Sequence, residues 1–419
     1  MNANVESMVQ NKAAARPVVT AAPHRMFFLA GAAQLVVALL FWLAALTGWY
    51  MPGAPALRLA IFGGAAHIFL MLYGLFTFFV FGFLFTVSPR WLGTEPITRP
   101  RYVTIATAMA AGMACYYGGV FAGRTLAVAG AAVFVAGWLC GLATLLQIWR
   151  RSQKPDKRFA LFPFGCVTGG CAGAIVYIWW LATNDPALLT ISTTAGFWLY
   201  LVPLIVAVSY RMIPFFSNGV LGNYTIVKPN WTLPATLLCV LAHFGLTIGA
   251  LGDWTVFCDL PLALLAAWHA WRWQLGRSLR VPLLAMLHVS FAWLAIAMGL
   301  FAAQSVLRLT GASFDLGLAP LHALGIGFIT GMVVAMASRV SLGHSGRPLI
   351  ADPATLWAFL VVQVTAIARV LAELPPFQYH RGGLWLILVA AAIWLIAFIP
   401  WSLRFGMIYL RPRVDGRPG

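Results

Sequence analysis

The segment LHALGIGFITGMVVAMASRVSLGHSGRPL, residues 321–349, contains both features that decide the fold of this chain. Its first eighteen residues are almost entirely apolar, and an apolar run of about 18 residues or more is typical of a helix that crosses a membrane. The run then ends in a cationic, turn-forming stretch that contains Arg339, His344 and Arg347. The segment therefore predicts a membrane-spanning helix whose end is marked by positive charge.

The composition extends this prediction to nearly all of the 419 residues. Hydrophobic residues make up 62% of the chain and charged residues only 9%, whereas a soluble domain has about 25% charged residues. Because similar apolar runs recur from end to end, we predict an all-α polytopic membrane protein with about twelve transmembrane helices. The predicted spans are residues 26–50, 59–88, 102–123, 126–149, 159–182, 188–209, 231–251, 253–271, 281–306, 316–338, 354–373 and 383–408.

The positive charges favour one side of the predicted bundle. If residue 1 is cytoplasmic, 22 of the 27 lysines and arginines fall in cytoplasmic segments and only Arg58, Arg124, Arg308 and Arg381 fall in outer loops. Cytoplasmic loops carry such an excess of basic residues, so both termini are predicted to be cytoplasmic. Basic residues beside the spans, which set the orientation in the membrane, then explain the net charge of +17, and a nucleic-acid partner is not expected.

The predicted domain organisation is a single membrane domain with two short tails. Residues 1–25 form a cytoplasmic N-terminal tail, residues 26–408 a transmembrane helical domain and residues 409–419 a cytoplasmic C-terminal tail. The N-terminal tail has no apolar segment of its own, so no separate signal peptide is expected. The six cysteines form no CxxC or CxxCH motif, which argues against a disulfide framework and against covalently attached haem.

Four of the eight histidines, His67, His243, His288 and His322, fall well within predicted spans. Ionisable residues at such positions are costly and are therefore candidates for function. The helical rise places His67 and His322 about 31 Å and about 26 Å from the cytoplasmic ends of their spans, at similar depth. Such a pair suits axial ligation of one haem or shared binding of one metal ion. Each of the four histidines is a candidate ligand, and a hydrogen bond to a neighbouring helix is the alternative role.

Other polar residues give weaker indications. Met71 follows His67 by four residues on the same helical face, which suits a soft copper pair and equally suits packing. The remaining histidines, His24, His269, His344 and His380, are expected at span ends or in loops, where solvent satisfies them.

The acidic residues are informative because none is predicted at mid-membrane. Asp259, for example, is expected in or near an outer loop. Proton-coupled transporters usually need an intramembrane carboxylate or an equivalent relay. The pattern therefore counts against a transporter.

Three arginines mark the cytoplasmic ends of spans. Arg211 ends the sixth span, and Arg339 and Arg347 follow the tenth. Arginine pairs well with carboxylates and phosphates, so these side chains suit haem propionates or a quinone headgroup held near His288. Alternatively, these arginines only set the orientation of the protein in the membrane and contact lipid headgroups. His344 is interpreted as part of an anion-binding turn, although a ligand role is open.

Several motifs together resemble the NnrS family of bacterial membrane proteins. They are PHRMFFLAG before the first span, GFLFTVSPRWLG at the end of the second, RMIPFFSNG, PLLAMLHVSFAWL around His288, the segment 321–349 and the terminal YLRPRVDGRPG. They extend from residue 23 to the last residue, so the likeness covers nearly the whole chain. His288, His322, Arg211, Arg339 and His344 match the family pattern.

The resemblance implies a protein of the bacterial cytoplasmic membrane that binds haem b and copper. It also implies a role in nitric-oxide metabolism, denitrification or resistance to nitrosative stress. One departure concerns the second span, where the family usually reads H-x-H-E-M-L-x-G. Here His67 and Met71 are kept, but Phe69 and Leu70 replace the second histidine and the glutamate. The resemblance therefore favours haem and leaves copper open.

Several functions remain compatible with these features. The first is a haem protein, with or without copper, that acts on or protects against nitric oxide. The second is a nitric-oxide reductase or quinol-linked oxidoreductase of independent architecture, because the chain lacks the His-His pair of the haem–copper oxidases. The third is a transporter of a metal or nitrosyl species without stoichiometric haem, and the fourth is a non-catalytic assembly or sensing protein. An oxidoreductase activity on nitric oxide is thus open.

Overall fold

The computed structural model describes residues 17–416 except Tyr379, and these residues form twelve long helices. The helices are α1 (Pro23–Tyr50), α2 (Gly63–Leu92), α3 (Arg99–Ala122), α4 (Arg124–Arg151), α5 (Arg158–Thr183), α6 (Pro186–Asn218), α7 (Thr232–Ile248), α8 (Val256–Arg272), α9 (Pro282–Leu309), α10 (Ala319–His344), α11 (Pro353–Leu371) and α12 (Arg381–Leu410). Within the described ranges there is no strand. The all-α membrane fold expected from the apolar runs is therefore confirmed.

Ten of these helices are long and apolar enough to cross a membrane, within the described residues. The other two, α7 and α8, occupy predicted spans but contain 17 residues each. Both present apolar side chains outward: Leu238 of α7 is 69% exposed and Leu264 of α8 is 63% exposed. The outer surface of the bundle is thus apolar around this hairpin too.

The boundaries of the membrane domain differ slightly from the prediction. Helix α1 begins at Pro23, because proline is well tolerated in the first helical turn, and α12 ends at Leu410. Both ends thus extend two or three residues beyond the predicted span 26–408. Most of the predicted N-terminal tail, residues 1–16, and the last three residues of the C-terminal tail lie outside the described residues.

The ends of the helices alternate between two faces of the bundle. On the first face, Arg25 of α1 donates hydrogen bonds to the carbonyl oxygens of Tyr409 and Arg411, at 3.2 and 2.8 Å, where α12 ends. On the opposite face, the amide of Ala60 donates to the carbonyl of Val120, at 2.8 Å, next to the end of α3. The first face, where α1 starts and α12 ends, is called the basic face below because most of the arginines that follow or precede helices lie there.

Three helices contain π-helical segments, in which hydrogen bonds run from residue i to i+5. The segments are Leu70–Leu75 in α2, Gly196–Leu201 in α6 and Ala323–Thr330 in α10. Such segments are rare and are frequently found at functional sites. The first follows His67 by three residues and the third follows His322 directly. The second contains Trp198, whose ring contacts His243.

Candidate functional site

The structure brings together His67 of α2, His322 of α10 and Arg369 of α11. Arg369 lies within electrostatic range of both imidazoles, and His67 lies within that range of His322. The guanidinium of Arg369 also forms an ion pair with Glu373, one helical turn further on, at 2.6 Å. Two histidines that are 255 positions apart in the sequence therefore lie in the same region of the bundle, near this ion pair.

Each of the two imidazoles is held in place on one side. The ring of His67 stacks on the indole of Trp42 of α1, with centroids 4.0 Å apart and planes inclined by 11°. Its Nδ1 atom is buried and has no hydrogen-bond partner among the described residues. The Nδ1 atom of His322 lies 2.9 Å from the carbonyl oxygen of Leu318. Because a carbonyl only accepts, this Nδ1 carries the proton and Nε2 keeps its lone pair.

A second histidine site lies between α7 and α8. Nδ1 of His243 is 2.6 Å from Oδ1 of Asp259, and both side chains are buried. Asp259 lies in the first turn of α8, close to the loop before it, as the sequence predicts. It is nevertheless 0% exposed, because His243 of α7 contacts it there. A protein-buried carboxylate is therefore present near the end of a helix, which the sequence did not indicate.

His288 of α9 is placed differently. Its Nε2 atom lies 3.0 Å from Oγ of Ser217, at the end of α6. The hydroxyl of Ser217 donates its own proton to the carbonyl of Ile213 at 2.8 Å, so it accepts from His288. One nitrogen of His288 is thus engaged between helices, which is the alternative role that the sequence left open. Its role as a ligand remains a prediction.

Two of the three arginines that the sequence predicts at the site, Arg211 and Arg339, lie over aromatic rings. Arg211 is placed between the rings of Trp91 and Phe159, at 4.8 and 4.7 Å from their centroids. Arg339 lies 3.9 Å from the centroid of Phe216, the residue before Ser217. Contacts of this kind stabilise a cation without neutralising it. Their role toward propionates, quinone or lipid headgroups stays a prediction.

Residues from the segment 321–349 meet the start of α1 on the basic face. The rings of His24 and His344 lie 4.7 Å apart, and Nδ1 of His24 and Nη1 of Arg347 are buried without a hydrogen-bond partner in the described part of the chain. The carbonyl of His344 accepts a hydrogen bond from Arg413 at 3.0 Å. The turn after α10 therefore contacts the start of α1 and the segment that follows α12.

The expectation that solvent satisfies the remaining histidines is wrong for two of them. His24 is 3% exposed and His269 is 2% exposed. His269 packs against Tyr210 and Trp273, with ring centroids 5.3 and 4.6 Å away. Position at a helix end did not reveal this burial, because it results from neighbouring helices that cover those ends.

The positions of the relatives' second histidine and glutamate face the interior. Phe69 stacks on Tyr177, with centroids 4.5 Å apart, and contacts Tyr116 at 4.6 Å. Leu70 is 0% exposed within the core. Met71 is half-buried against the same core at the start of the π-helical segment. Phe69 and Leu70 offer no donor atom to a metal, so the motif of this chain keeps only His67 and Met71 as candidate ligands.

The fold and these sites define a polytopic helical membrane protein with histidines brought together inside the bundle. The chain belongs to the NnrS family, because the family model described as NnrS protein matches residues 18–413, nearly the whole chain. Family membership indicates a membrane protein related to nitric oxide. No curated protein matches the chain closely enough to add to this assignment.

Proposed function

We propose that the protein is a haem b protein of the bacterial cytoplasmic membrane that acts in nitric-oxide metabolism or in resistance to nitrosative stress. The observation that carries the proposal is the meeting of His67 and His322 from two helices beside Arg369. Two histidines on different helices are a common way to hold a haem iron, and arginine suits its propionates.

The donor atoms of the site fit such a group. His322 has its Nδ1 proton directed to Leu318, which leaves Nε2 available for a metal. The buried Nδ1 of His67 lacks a partner, and an unpaired buried polar atom is destabilising unless something binds it. Arg369 supplies a positive charge that Glu373 already orients. His67, His322 and Arg369 would therefore hold the haem.

The surroundings suit a small apolar ligand. The haem would supply an iron that exchanges one electron with a bound or approaching small molecule. The indole of Trp42 covers one face of His67 and excludes water from it. Nitric oxide is small and apolar, so it reaches a buried site through the bilayer without a polar channel. The π-helical segments after both histidines allow the local backbone to deviate from α-helical geometry at this site.

Both termini are proposed to face the cytoplasm, with twelve membrane crossings. Arg25 contacts the end of α12, so the start of the first helix and the end of the last lie on one face. Most of the basic residues lie at helix ends on that face, as expected for the cytoplasmic side. The α7–α8 hairpin is short, at about 25 Å per helix, but its outward side chains are apolar. Because the hairpin consists of two helices, its depth does not alter the sides of the termini.

Copper and a quinol electron donor, which the sequence also suggests, have less support. Copper at the second span is not part of the proposal, because Phe69 and Leu70 are packed in the core. A quinol or another membrane electron donor remains a prediction. The apolar cavity between α1, α2, α6 and α10 does not support it, since its lining residues, which include Phe28, Phe83 and Met336, offer no side-chain hydrogen-bond donor for a quinone.

Transport of a metal or nitrosyl species is the second candidate function. The buried pair of His243 and Asp259 favours it, because His243 borders a cavity of about 240 Å³ that is also lined by Thr247, Gln304 and Arg308. A transporter would work without stoichiometric haem.

The two candidates are separated by an absorption spectrum of the detergent-purified protein, oxidised and reduced, with haem quantified on the same sample. We expect b-type haem in stoichiometric amount. His67→Ala and His322→Ala should each lose most of it, whereas His380→Ala, at an exposed position, should retain it. Full haem content in both variants would show that other histidines bind the haem. Absence of haem from cells well supplied with it would overturn the proposal in favour of transport.

A further inference from the structure

A second group of potential metal ligands lies between α7 and α8, and it is not part of the proposed haem site. His243 is 4% exposed and Asp259 is 0% exposed, and their Nδ1 and Oδ1 atoms are 2.6 Å apart. Cys258, the neighbour of Asp259, is also buried. One donor atom from each of the three residues lies within 4.8 Å of the other two. Nitrogen, sulfur and oxygen donors are thus grouped in one buried place.

The carboxylate of Asp259 is incompletely satisfied. Oδ1 contacts His243 and lies 3.7 Å from Sγ of Cys258. Oδ2 is buried and has no hydrogen-bond partner in the part of the chain that the structure describes. A buried carboxylate oxygen without a partner is costly. A cation at this position would remove that cost.

The imidazole of His243 is fixed by two aromatic rings. Trp198, in the π-helical segment of α6, stacks on it with centroids 3.7 Å apart. Phe301 of α9 contacts it edge to face at 5.0 Å. A ligand whose ring is already oriented loses little conformational freedom when it binds a metal. The π-helical segment places Trp198 for this contact, which gives this irregular part of α6 a structural reason.

We propose that His243, Cys258 and Asp259 bind one transition-metal ion of borderline softness, Zn²⁺ or Cu²⁺. Imidazole and thiolate are the preferred donors for this class, and a carboxylate completes a three-residue set. Donors of a tetrahedral site lie about 3.3–3.7 Å apart at these bond lengths. Binding an ion would therefore separate Nδ1 of His243 from Oδ1 of Asp259, which are 2.6 Å apart, and would keep all three donors within the 4.8 Å that they now span. The ion takes the position of the hydrogen between Nδ1 of His243 and Oδ1 of Asp259, which moves to Nε2 or to solvent. The thiol of Cys258 releases its proton to solvent, so that Sγ binds as a thiolate.

Open space lies next to one of the three proposed ligands. A cavity of about 240 Å³ is lined by His243 together with Thr194, Thr247, Gln304 and Arg308. Metal sites with three protein ligands and one open position are typical of sites that bind an exogenous ligand. Water or a small anion is the chemical class that fits here, because hydroxyl, amide and guanidinium groups surround the space.

The test is metal binding by the full-length protein in detergent, after treatment with a chelator and dialysis against Zn²⁺ or Cu²⁺. We expect one equivalent of ion per chain in addition to haem iron, measured by elemental analysis. The ion that binds more tightly is the one that the site selects. Electron paramagnetic resonance distinguishes Cu²⁺ bound at the site from adventitious Cu²⁺. His243→Ala, Cys258→Ser and Asp259→Asn should each weaken binding at least tenfold. Cys171→Ser, a buried cysteine of α5, is the matched control and should bind normally.

Cobalt gives a readout that does not depend on the amount of folded protein. Co²⁺ bound to a thiolate absorbs in the near ultraviolet, and subtracting the spectrum of Cys258→Ser at equal haem content removes the haem bands. We expect this difference band in the wild type and in Cys171→Ser. If the wild type binds no ion at micromolar free Zn²⁺ or Cu²⁺, or if Cys258→Ser binds as well as the wild type, the His243–Asp259 pair is only structural and the inference fails. The haem proposal is unaffected by that result.

Discussion

The indole of Trp42 and the imidazole of His67 lie face to face, with centroids 4.0 Å apart and planes inclined by 11°. The contact joins α1 to α2 at the position where α2 carries its candidate haem ligand. Since Nδ1 of His67 has no partner among the described residues, the stacking contact is what sets the orientation of the ring. The orientation of the candidate haem ligand His67 therefore depends on Trp42, which is not itself a ligand.

Replacing Trp42 should weaken haem retention without removing a ligand. In Trp42→Leu the imidazole of His67 gains rotational freedom, and we expect a clear loss of haem per chain after detergent purification, together with faster loss on dilution. Haem quantification and the Soret absorbance measure this. Trp179→Leu is the control, because Trp179 is 59% exposed on α5. Equal haem retention in the two variants would show that stacking does not position His67.

The packing of α3 against α4 depends on glycines at close backbone contacts. A Cβ atom at Gly119 would overlap the backbone nitrogen of Ala127, whereas one at Gly118 would meet only Cδ2 of Leu126 at 3.6 Å. Overpacking of this kind costs about 1–3 kcal/mol or more. We expect Gly119→Ala to lower the melting temperature in detergent and Gly118→Ala to leave it nearly unchanged. Equal melting temperatures would mean that the two helices separate at little cost.

The sequence predicts the helices better than the sites. Apolar runs and basic loop residues suffice for the order and approximate bounds of the spans, because in a membrane these properties are set locally. Depth along the helix also places His67 and His322 at similar levels, and the structure brings them together. The same reasoning does not reveal the burial of Asp259 and His24, since other helices cover these side chains.

The π-helical segments show a second limit of the sequence. No residue pattern in Leu70–Leu75 or Ala323–Thr330 distinguishes these segments from ordinary apolar helix. The irregular hydrogen bonding becomes apparent only in the folded bundle. The stacking of Trp198 on His243 is similarly invisible, because it requires the relative rotation of α6 and α7.

The loop before α10 should make stability sensitive to acid. The carboxylate of Asp315 accepts hydrogen bonds from the amide of Gly317 and from Gln378, both at 3.0 Å, and these bonds lower the pKa of Asp315. A lowered pKa in the folded state means that the ionised form stabilises the fold above the ordinary value of about 4. That contribution is lost as the pH falls through the lowered pKa.

Melting temperatures between about pH 7 and about pH 3 test this expectation. Asp315→Asn should melt at a lower temperature than the wild type near neutral pH and should lose part of the decline toward acid. Glu95→Gln, at an exposed position between α2 and α3, provides a matched carboxylate-to-amide control. An acid profile of Asp315→Asn that parallels the wild type would show that the link between Asp315 and Gln378 contributes nothing.

Restoring the relatives' residues in α2 should not restore a copper site. Phe69 is packed against Tyr116 and Tyr177, and the hydroxyls of these tyrosines are 2.7 Å apart. The double variant Phe69→His/Leu70→Glu would place a polar ring and a carboxylate in this aromatic core. An unpaired buried charge costs several kcal/mol. We therefore expect a lower melting temperature and no additional copper, measured by thermal unfolding and elemental analysis.

The control is Phe62→His, which adds a histidine at a position where the native side chain is 67% exposed. It should change neither stability nor copper content. A gain of one copper per chain in the double variant, with the melting temperature preserved, would contradict this expectation. Tyr116 and Tyr177, which pack around position 69, would then have to move to make room for a metal ion. Because their hydroxyls already bond to each other and to the carbonyl of Ala65 at 3.0 Å, such a rearrangement would leave a backbone acceptor without its donor.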